Sequence, residues 1–230
     1  LVAVGNQARR FERNRRAVER ARALAAFNLN RRQQAVTFDS LSPFASNQMA
    51  AAQRLLERWC DKAISSGVPG KGYLLSSLDV GCGKTHLLLA AANALREVGV
   101  QFYNTAELLE AIRAEQRGEP RGEQSPLRMA CNIPILILDD LGAPGLATAW
   151  QADQLFLILD RRYQAGRPIL ASSNILHEGR GSRTLAKHLL GPRDTEFPDR
   201  EVTGRRLESR VLALCQPVLV SGPDLRNGAR

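Results

Sequence analysis

The run IPILILDDLG, residues 133–142, constrains the fold of this chain more than any other stretch. Apolar residues follow one another without polar alternation, then stop at two adjacent acids. Such a run fits a strand buried on both faces of a parallel sheet. Two neighbouring carboxylates at the end of a buried strand repel each other, so Asp139 and Asp140 imply a cation close by.

The surrounding sequence alternates in the way a parallel sheet requires. Strand-like runs occur at Tyr73–Leu78, Val100–Asn104 and Pro168–Ser173. Helical patterns lie between them, over Lys84–Val98, after a capping Thr105, and over Gln151–Tyr163. A further helix is expected from about Asn47 to Ile64, followed by a loop at 65–72, and 117–125 reads as a polar loop. Strand, helix, strand, helix in order argues a doubly wound α/β fold. Ligands in such sheets bind beyond the carboxyl ends of the strands. Gly81–Thr85 and Asp139–Asp140 both fall there.

The segment LDVGCGKT, residues 78–85, matches most of the phosphate-loop pattern G-x-x-x-x-G-K-[ST]. The opening glycine is replaced by Leu78. The half that touches phosphate is intact: Gly81 and Gly83 let backbone N–H groups approach phosphate oxygens, and a helix start at Lys84 adds its positive end. The expected ATP contacts are Val80, Gly81, Cys82, Gly83, Lys84, Thr85 and His86. Lys84 reaches the β- and γ-phosphates, while the Thr85 hydroxyl and Asp139 serve Mg²⁺. Asp140 would orient or deprotonate the attacking water. Leu78 and Asp79 remove backbone freedom and add a negative charge, which predicts weakened affinity. Asn174, at the end of PILASSN, either positions the water or forms a turn. Arg206 and Arg210 lie four apart on a helix expected at 204–214 and share a face. They read as a solvated basic face or as an arginine finger offered to a neighbouring subunit's ATP.

Charge is concentrated at the start of the chain. Nine arginines against two glutamates within residues 1–35 supply +7 of the formal net +9. A weak apolar stripe (Phe11, Val18, Ala21, Ala25) makes this segment an arginine-rich amphipathic helix. It suits a solvated face, an acidic partner protein or nucleic acid. No apolar run approaches the roughly 20 residues that span a bilayer. The first residues lack the apolar stretch of a signal peptide. Cysteines at 60, 82, 131 and 215 are scattered without C-x-x-C spacing, which reads as reduced thiols and a cytoplasmic location.

In this order and spacing, TFDSL (37–41), VGCGKTHL (80–87), FYNTAELLEAIR (102–113), ILILDDLG (135–142), ILASSN (169–174), RRLESRV (205–211) and VLVSGPDLR (218–226) resemble the AAA+ P-loop ATPases. Within them the likeness is to DnaC-type helicase loaders and IstB-type transposition helpers. The resemblance implies a parallel sheet sandwiched by helices, with no helical lid domain and a basic N-terminal helical extension. It divides the chain into an arm (1–36), an ATPase domain (37–226) and a short tail (227–230). It makes Lys84 and Thr85 the first ATP motif, Asp139 and Asp140 the second, Asn174 the first sensor and Arg210 a finger acting in trans. The cofactors implied are ATP and Mg²⁺. The function implied is ATP-driven loading of a replicative hexameric helicase onto single-stranded DNA by a homo-oligomer, the arm gripping the helicase. The alternative is a transposition helper that assembles on duplex DNA and engages a transposase. A small-molecule P-loop kinase is a remote third, because it leaves RRLESR unexplained.

Overall fold

The computed structural model describes residues 27–42, 45–119, 125–142, 148–175 and 200–226. The basic segment 1–26 and the tail 227–230 lie outside the described residues. Five parallel strands form one sheet: β1 (Gly72–Ser76), β2 (Val100–Asn104), β3 (Ile135–Asp139), β4 (Ile169–Ser173) and β5 (Cys215–Leu219), in spatial order β2-β3-β4-β1-β5. Among the described residues, eight helical segments accompany them. These are α1 (Arg31–Gln34), a 3₁₀ turn (Phe38–Ser40), α2 (Asn47–Ser66), α3 (Lys84–Ala94), α4 (Thr105–Gln116), α5 (Pro126–Asn132), α6 (Ala149–Gln164) and α7 (Arg200–Leu214).

The period-two geometry of a strand divides the apolar run between two cores. Ile135 and Ile137 join Leu75 and Leu170 on one face, against Met49, Leu56 and Trp59 of α2 and Leu87 and Leu88 of α3. Leu136 and Leu138 join Leu74 on the other, against Leu108 and Ile112 of α4, Leu155 and Ile158 of α6, and Leu207 and Val211 of α7. Every residue of β3 and β4 is buried, as two covered faces demand. The fold is therefore the expected α/β sandwich, a parallel sheet with helices on both faces.

Two elements escaped the periodicity. α5 is short and opens with Pro126 after Ser125, which caps it. β5 contains Pro217 and alternates imperfectly, so it reads poorly as a strand. It lies at the sheet edge, bonded to β1 alone, where a proline without an N–H is tolerated. The other edge strand, β2, is partly covered: Asn28 donates to the Phe102 carbonyl at 2.6 Å and accepts from the Phe102 N–H at 3.0 Å. Asn93, a polar break in the apolar α3, has a matching role. Its amide donates to the carbonyls of Gln33 (2.8 Å) and Val36 (2.7 Å) and so docks the 33–36 segment.

Candidate functional site

β1 ends at Ser76, two residues earlier than its apolar run suggests, and the chain then turns at Gly81 (φ +78) and Gly83 (φ +110) into α3. Gly83 is the left-handed N-cap of that helix, a conformation that costs other residues a Cβ clash. The first-turn N–H groups of α3 therefore face a cleft of about 530 Å³. Val80, Gly81, Cys82, Gly83, Lys84, Thr85, His86, Asp140 and Asn174 line it, together with Ser40, Leu41, Ser42, Leu225 and Arg226. All seven expected ATP contacts border one cavity.

Lys84 is buried, and its Nζ spans the loop to the Asp79 carbonyl at 2.8 Å. Asp79 itself does not line the cleft: its carboxylate accepts the Gly222 N–H at 3.0 Å. The extra negative charge is turned toward Gly222, a placement that the altered motif alone does not reveal. His86 faces the cleft while its Nε2 sits 3.2 Å from the Thr37 carbonyl and 3.1 Å from Ser40 Oγ.

The two acids have separate environments. Asp139 closes β3 and is 5% exposed. Its Oδ1 accepts from Thr85 Oγ1 at 3.2 Å and from the Ser172 hydroxyl. Its carbonyl accepts from Thr105 Oγ1 at 2.9 Å. Thr105 was expected to cap α4, but Asn104 does so, accepting from the Ala106 N–H. Asp140 then turns out of the strand at φ +54, a backbone cost of order 1 kcal/mol for a residue with a Cβ. The turn is fixed by the Asp140 N–H on Ser172 Oγ (3.0 Å) and the Leu141 N–H on the Ser172 carbonyl (2.8 Å). It brings the Asp140 carboxylate to 3.4 Å from the Asn174 amide. Ser172 thus organises both acids, and its only trace in the sequence is a pair of serines inside a buried strand.

Hydroxyl and carboxylate oxygens from Thr85 and Asp139, already 3.2 Å apart, are the hard donors that Mg²⁺ selects. Burial raises the Asp139 carboxyl above the usual carboxylate range, against the lowering effect of the Ser172 and Thr85 hydrogen bonds, and the Asp140 charge raises it further. A carboxyl that ionises less readily folded than unfolded has no such penalty at low pH. It loses stability as pH rises through its folded value. Asp139→Asn is therefore expected to raise the melting temperature of the nucleotide-free protein at neutral pH, by about 2–4 °C for each kcal/mol relieved. Its stability should also depend less on pH across the acidic range. A lower melting temperature at pH 7 than wild type would refute this account.

Arg206 and Arg210 do not line the phosphate-loop cleft. They border a second cavity of about 350 Å³ on α7, with Phe156, Val202, Arg205 and Ser209. Arg210 Nε donates to Asp160 Oδ1 at 2.8 Å, and its guanidinium lies 4.9 Å from the Tyr163 ring centroid. Arg206 stacks on Phe156 at 4.4 Å.

A family model described as IstB-like ATP binding protein matches residues 7–190. The replicative helicase loader DnaI of Bacillus subtilis is 29% identical over 161 residues, 69% of this chain and 48% of that protein. A putative ATP-binding protein in an insertion sequence of Mycobacterium tuberculosis is 30% identical over 119 residues, 51% of this chain and 43% of that protein. The chain spans less than half the length of either relative. Among solved structures, the crystal structure of DnaI aligns at TM-score 0.65 and 24% identity, covering 86% of this chain and 98% of that one. The DnaC helicase loader aligns at 0.61 and 20%, covering 84% and 100%. These two structures share the fold.

Proposed function

The chain belongs to the family of IstB-like ATP-binding proteins, and from that premise we propose that it hydrolyses ATP to load a replicative hexameric helicase onto single-stranded DNA. The observation that carries the ATPase half is the convergence of Lys84, Thr85, Asp140 and Asn174 on one cleft, with Asp139 bonded to Thr85 at its edge. Lys84 holds the β- and γ-phosphates. Thr85 and Asp139 would hold Mg²⁺, which would supply positive charge against the charge that develops on the phosphates. Asn174 and Asp140 face each other across 3.4 Å and orient the attacking water, whose proton Asp140 accepts. The loading half rests on the likeness to the loader DnaI.

Arg210 completes the site of a neighbouring subunit in a homo-oligomer. In its own subunit it faces a different cavity. The Asp160 bond engages Nε rather than the terminal guanidinium nitrogens. The basic arm, residues 1–36, grips the helicase.

A second reading has its own support. The family model and the insertion-sequence relative favour a transposition helper assembling on duplex DNA with a transposase. One capture experiment separates the two. Immobilised protein with ATP is offered a hexameric replicative helicase and, separately, an insertion-sequence transposase. The wild-type chain is expected to retain the helicase. Lys84→Ala, lacking the cation opposite the phosphates, should lose ATP binding by at least about a hundredfold, the scale of a lost charged contact, and retain neither partner. Retention of the transposase alone reverses the assignment.

A further inference from the structure

Three consecutive polar residues, Ser172, Ser173 and Asn174, close the buried run of β4. Both serines are buried. A buried hydroxyl is bonded as a rule, and these two reach the chain at 139–141. The Asp140 N–H donates to Ser172 Oγ at 3.0 Å, and the Leu141 N–H donates to the Ser172 carbonyl at 2.8 Å. Ser173 Oγ donates to the Leu141 carbonyl at 2.7 Å. The Asn174 amide stands 3.4 Å from the Asp140 carboxylate. All of these except the last engage the backbone of 140–141. The end of β4 therefore fixes the course of the chain there, and not only a side chain. Ser172 is itself anchored in the sheet, in register with Leu75 of β1, so the support is a central strand rather than a loop.

The course so fixed is a strained one. Asp140 is the one non-glycine residue at positive φ among the described residues. Such a conformation persists where the surrounding contacts over-determine it, and it concentrates at functional sites. An extended continuation of β3 would send the Asp140 side chain to the sheet face opposite Asp139, the face that Leu136 and Leu138 share with α4 and α6. The left-handed turn places Asp140 on the cleft instead, with Lys84, Thr85 and Asn174. Of the three β4 residues, Ser172 also bonds the first acid. Its hydroxyl carries a single hydrogen, donated to Asp139 Oδ1. Toward Asp140 it therefore acts through a lone pair, as acceptor from the N–H. One oxygen ties the backbone of the second acid to the carboxylate of the first.

We propose that Ser172 is a positioning residue for ATP hydrolysis: it holds Asp140 in the left-handed turn that aims the Asp140 carboxylate at the attacking water. The inference rests on the ATPase reading above and adds the residue that makes Asp140 effective. Ser172 does not line the cleft. Loss of its hydroxyl therefore lowers the rate and spares nucleotide binding, because Lys84 and the phosphate loop keep their places. A serine that only satisfied a buried carboxylate would change stability and leave the rate alone.

The test measures ATP affinity and kcat separately for the full chain and for Ser172→Ala, Asp140→Asn and the double variant. Hydrogen exchange of the Asp140 amide in the nucleotide-free protein accompanies them, and thermal melting confirms folding. Asparagine also tolerates positive φ, so Asp140→Asn removes the base and keeps the turn. It is expected to bind ATP and to lose most hydrolysis. Ser172→Ala is expected to bind ATP like wild type and to lose kcat by about a hundredfold, the cost of misplacing a reacting group by about 1 Å. Its Asp140 amide should exchange faster, while the Ile137 and Leu138 amides inside β3 are unchanged. The double variant should lose no more kcat than Asp140→Asn alone, because residues that act as one unit are not additive. Losses that multiply in the double variant overturn the positioning role, and so does an unchanged kcat in Ser172→Ala. A fall in ATP affinity that accounts for the whole effect overturns it as well. A wild-type rate in Asp140→Asn, or no hydrolysis by the unaltered chain, overturns the ATPase reading and the positioning role with it. Should Ser172→Ala fail to fold, Ser172→Thr keeps the hydroxyl and Ser172→Val removes it at the same shape. Only the valine variant is expected to lose kcat.

Discussion

Arg210→Ala is expected to bind ATP nearly as tightly as the wild-type chain and to lose DNA-stimulated hydrolysis by roughly 10³–10⁵, the contribution of an arginine finger to phosphoryl transfer. The expectation follows from where the residue stands. Arg210 borders the α7 cavity rather than its own phosphate-loop cleft, so removing it leaves ATP contacts within the subunit intact. Its guanidinium is oriented by Asp160 at 2.8 Å and packed over Tyr163, which limits the entropy lost when it meets a phosphate. Mixing provides the sharper measurement. Arg210→Ala keeps a working loop, and Lys84→Ala keeps a working arginine. A mixture of these inactive variants recovers activity wherever an interface pairs the two. If the variants co-assemble without any recovery, Arg210 does not act in trans. Its contacts with Asp160 and Tyr163 then describe a structural ion pair.

Arg162→Met is expected to destabilise the domain by about 3–5 kcal/mol, because it strands several buried backbone carbonyls. Arg162 is fully buried and has no carboxylate partner among the described residues. Its guanidinium donates instead to four backbone carbonyls: Ala130 and Ile133 at 2.8 Å, Pro134 at 3.0 Å and Pro168 at 2.8 Å. These carbonyls belong to α5 and to the entries of β3 and β4. Methionine fills the volume and leaves them without donors, and each unsatisfied buried group costs about 1–3 kcal/mol. Burial, with Arg167 nearby, pulls the guanidinium down to about 9, so it remains charged at neutral pH. Denaturant unfolding measures the loss, with exposed Arg161→Met as the control, expected within about 0.5 kcal/mol of wild type. Equal values for the two variants would show that the carbonyl cluster contributes nothing. A typical domain is stable by only about 5–15 kcal/mol, so the loss is expected to be visible in expression as well.

Arg162 also marks the limit of what periodicity reveals. In the sequence it is one of two adjacent arginines near the end of an amphipathic helix, RR at 161–162. The helix period sets Arg162 on the stripe of Ala152, Leu155, Ile158 and Leu159, but it names no partner for a buried charge. The buried one is identified by four carbonyls from three other segments. β5 shows the same limitation: an edge strand bonded on one side need not be apolar throughout, so its pattern is weak. By contrast, β3 and the phosphate loop were legible because their constraints are local. A strand covered on both faces must be apolar at every position. A backbone that wraps phosphate needs glycines and a lysine at fixed spacing.

The sequence by itself determined the sheet class and the positions of four strands, and it singled out Val80 to His86, Asp140 and Asn174, which line one cleft, with Asp139 bonded to Thr85 beside them. Each of these follows from a periodicity or a spacing within a few residues. The tertiary structure alone decided that Ser172 sets both acids, that Asp79 turns its charge onto Gly222, and that Leu225, Leu41 and Met49 converge above Gly83. It also decided that Arg210 faces away from its own cleft. These contacts join residues separated by 32 to 184 positions. They depend on strand order and on the path of the chain after β5. A short-range pattern carries no record of either, because the sheet places β1 between β4 and β5 only once the whole domain has closed.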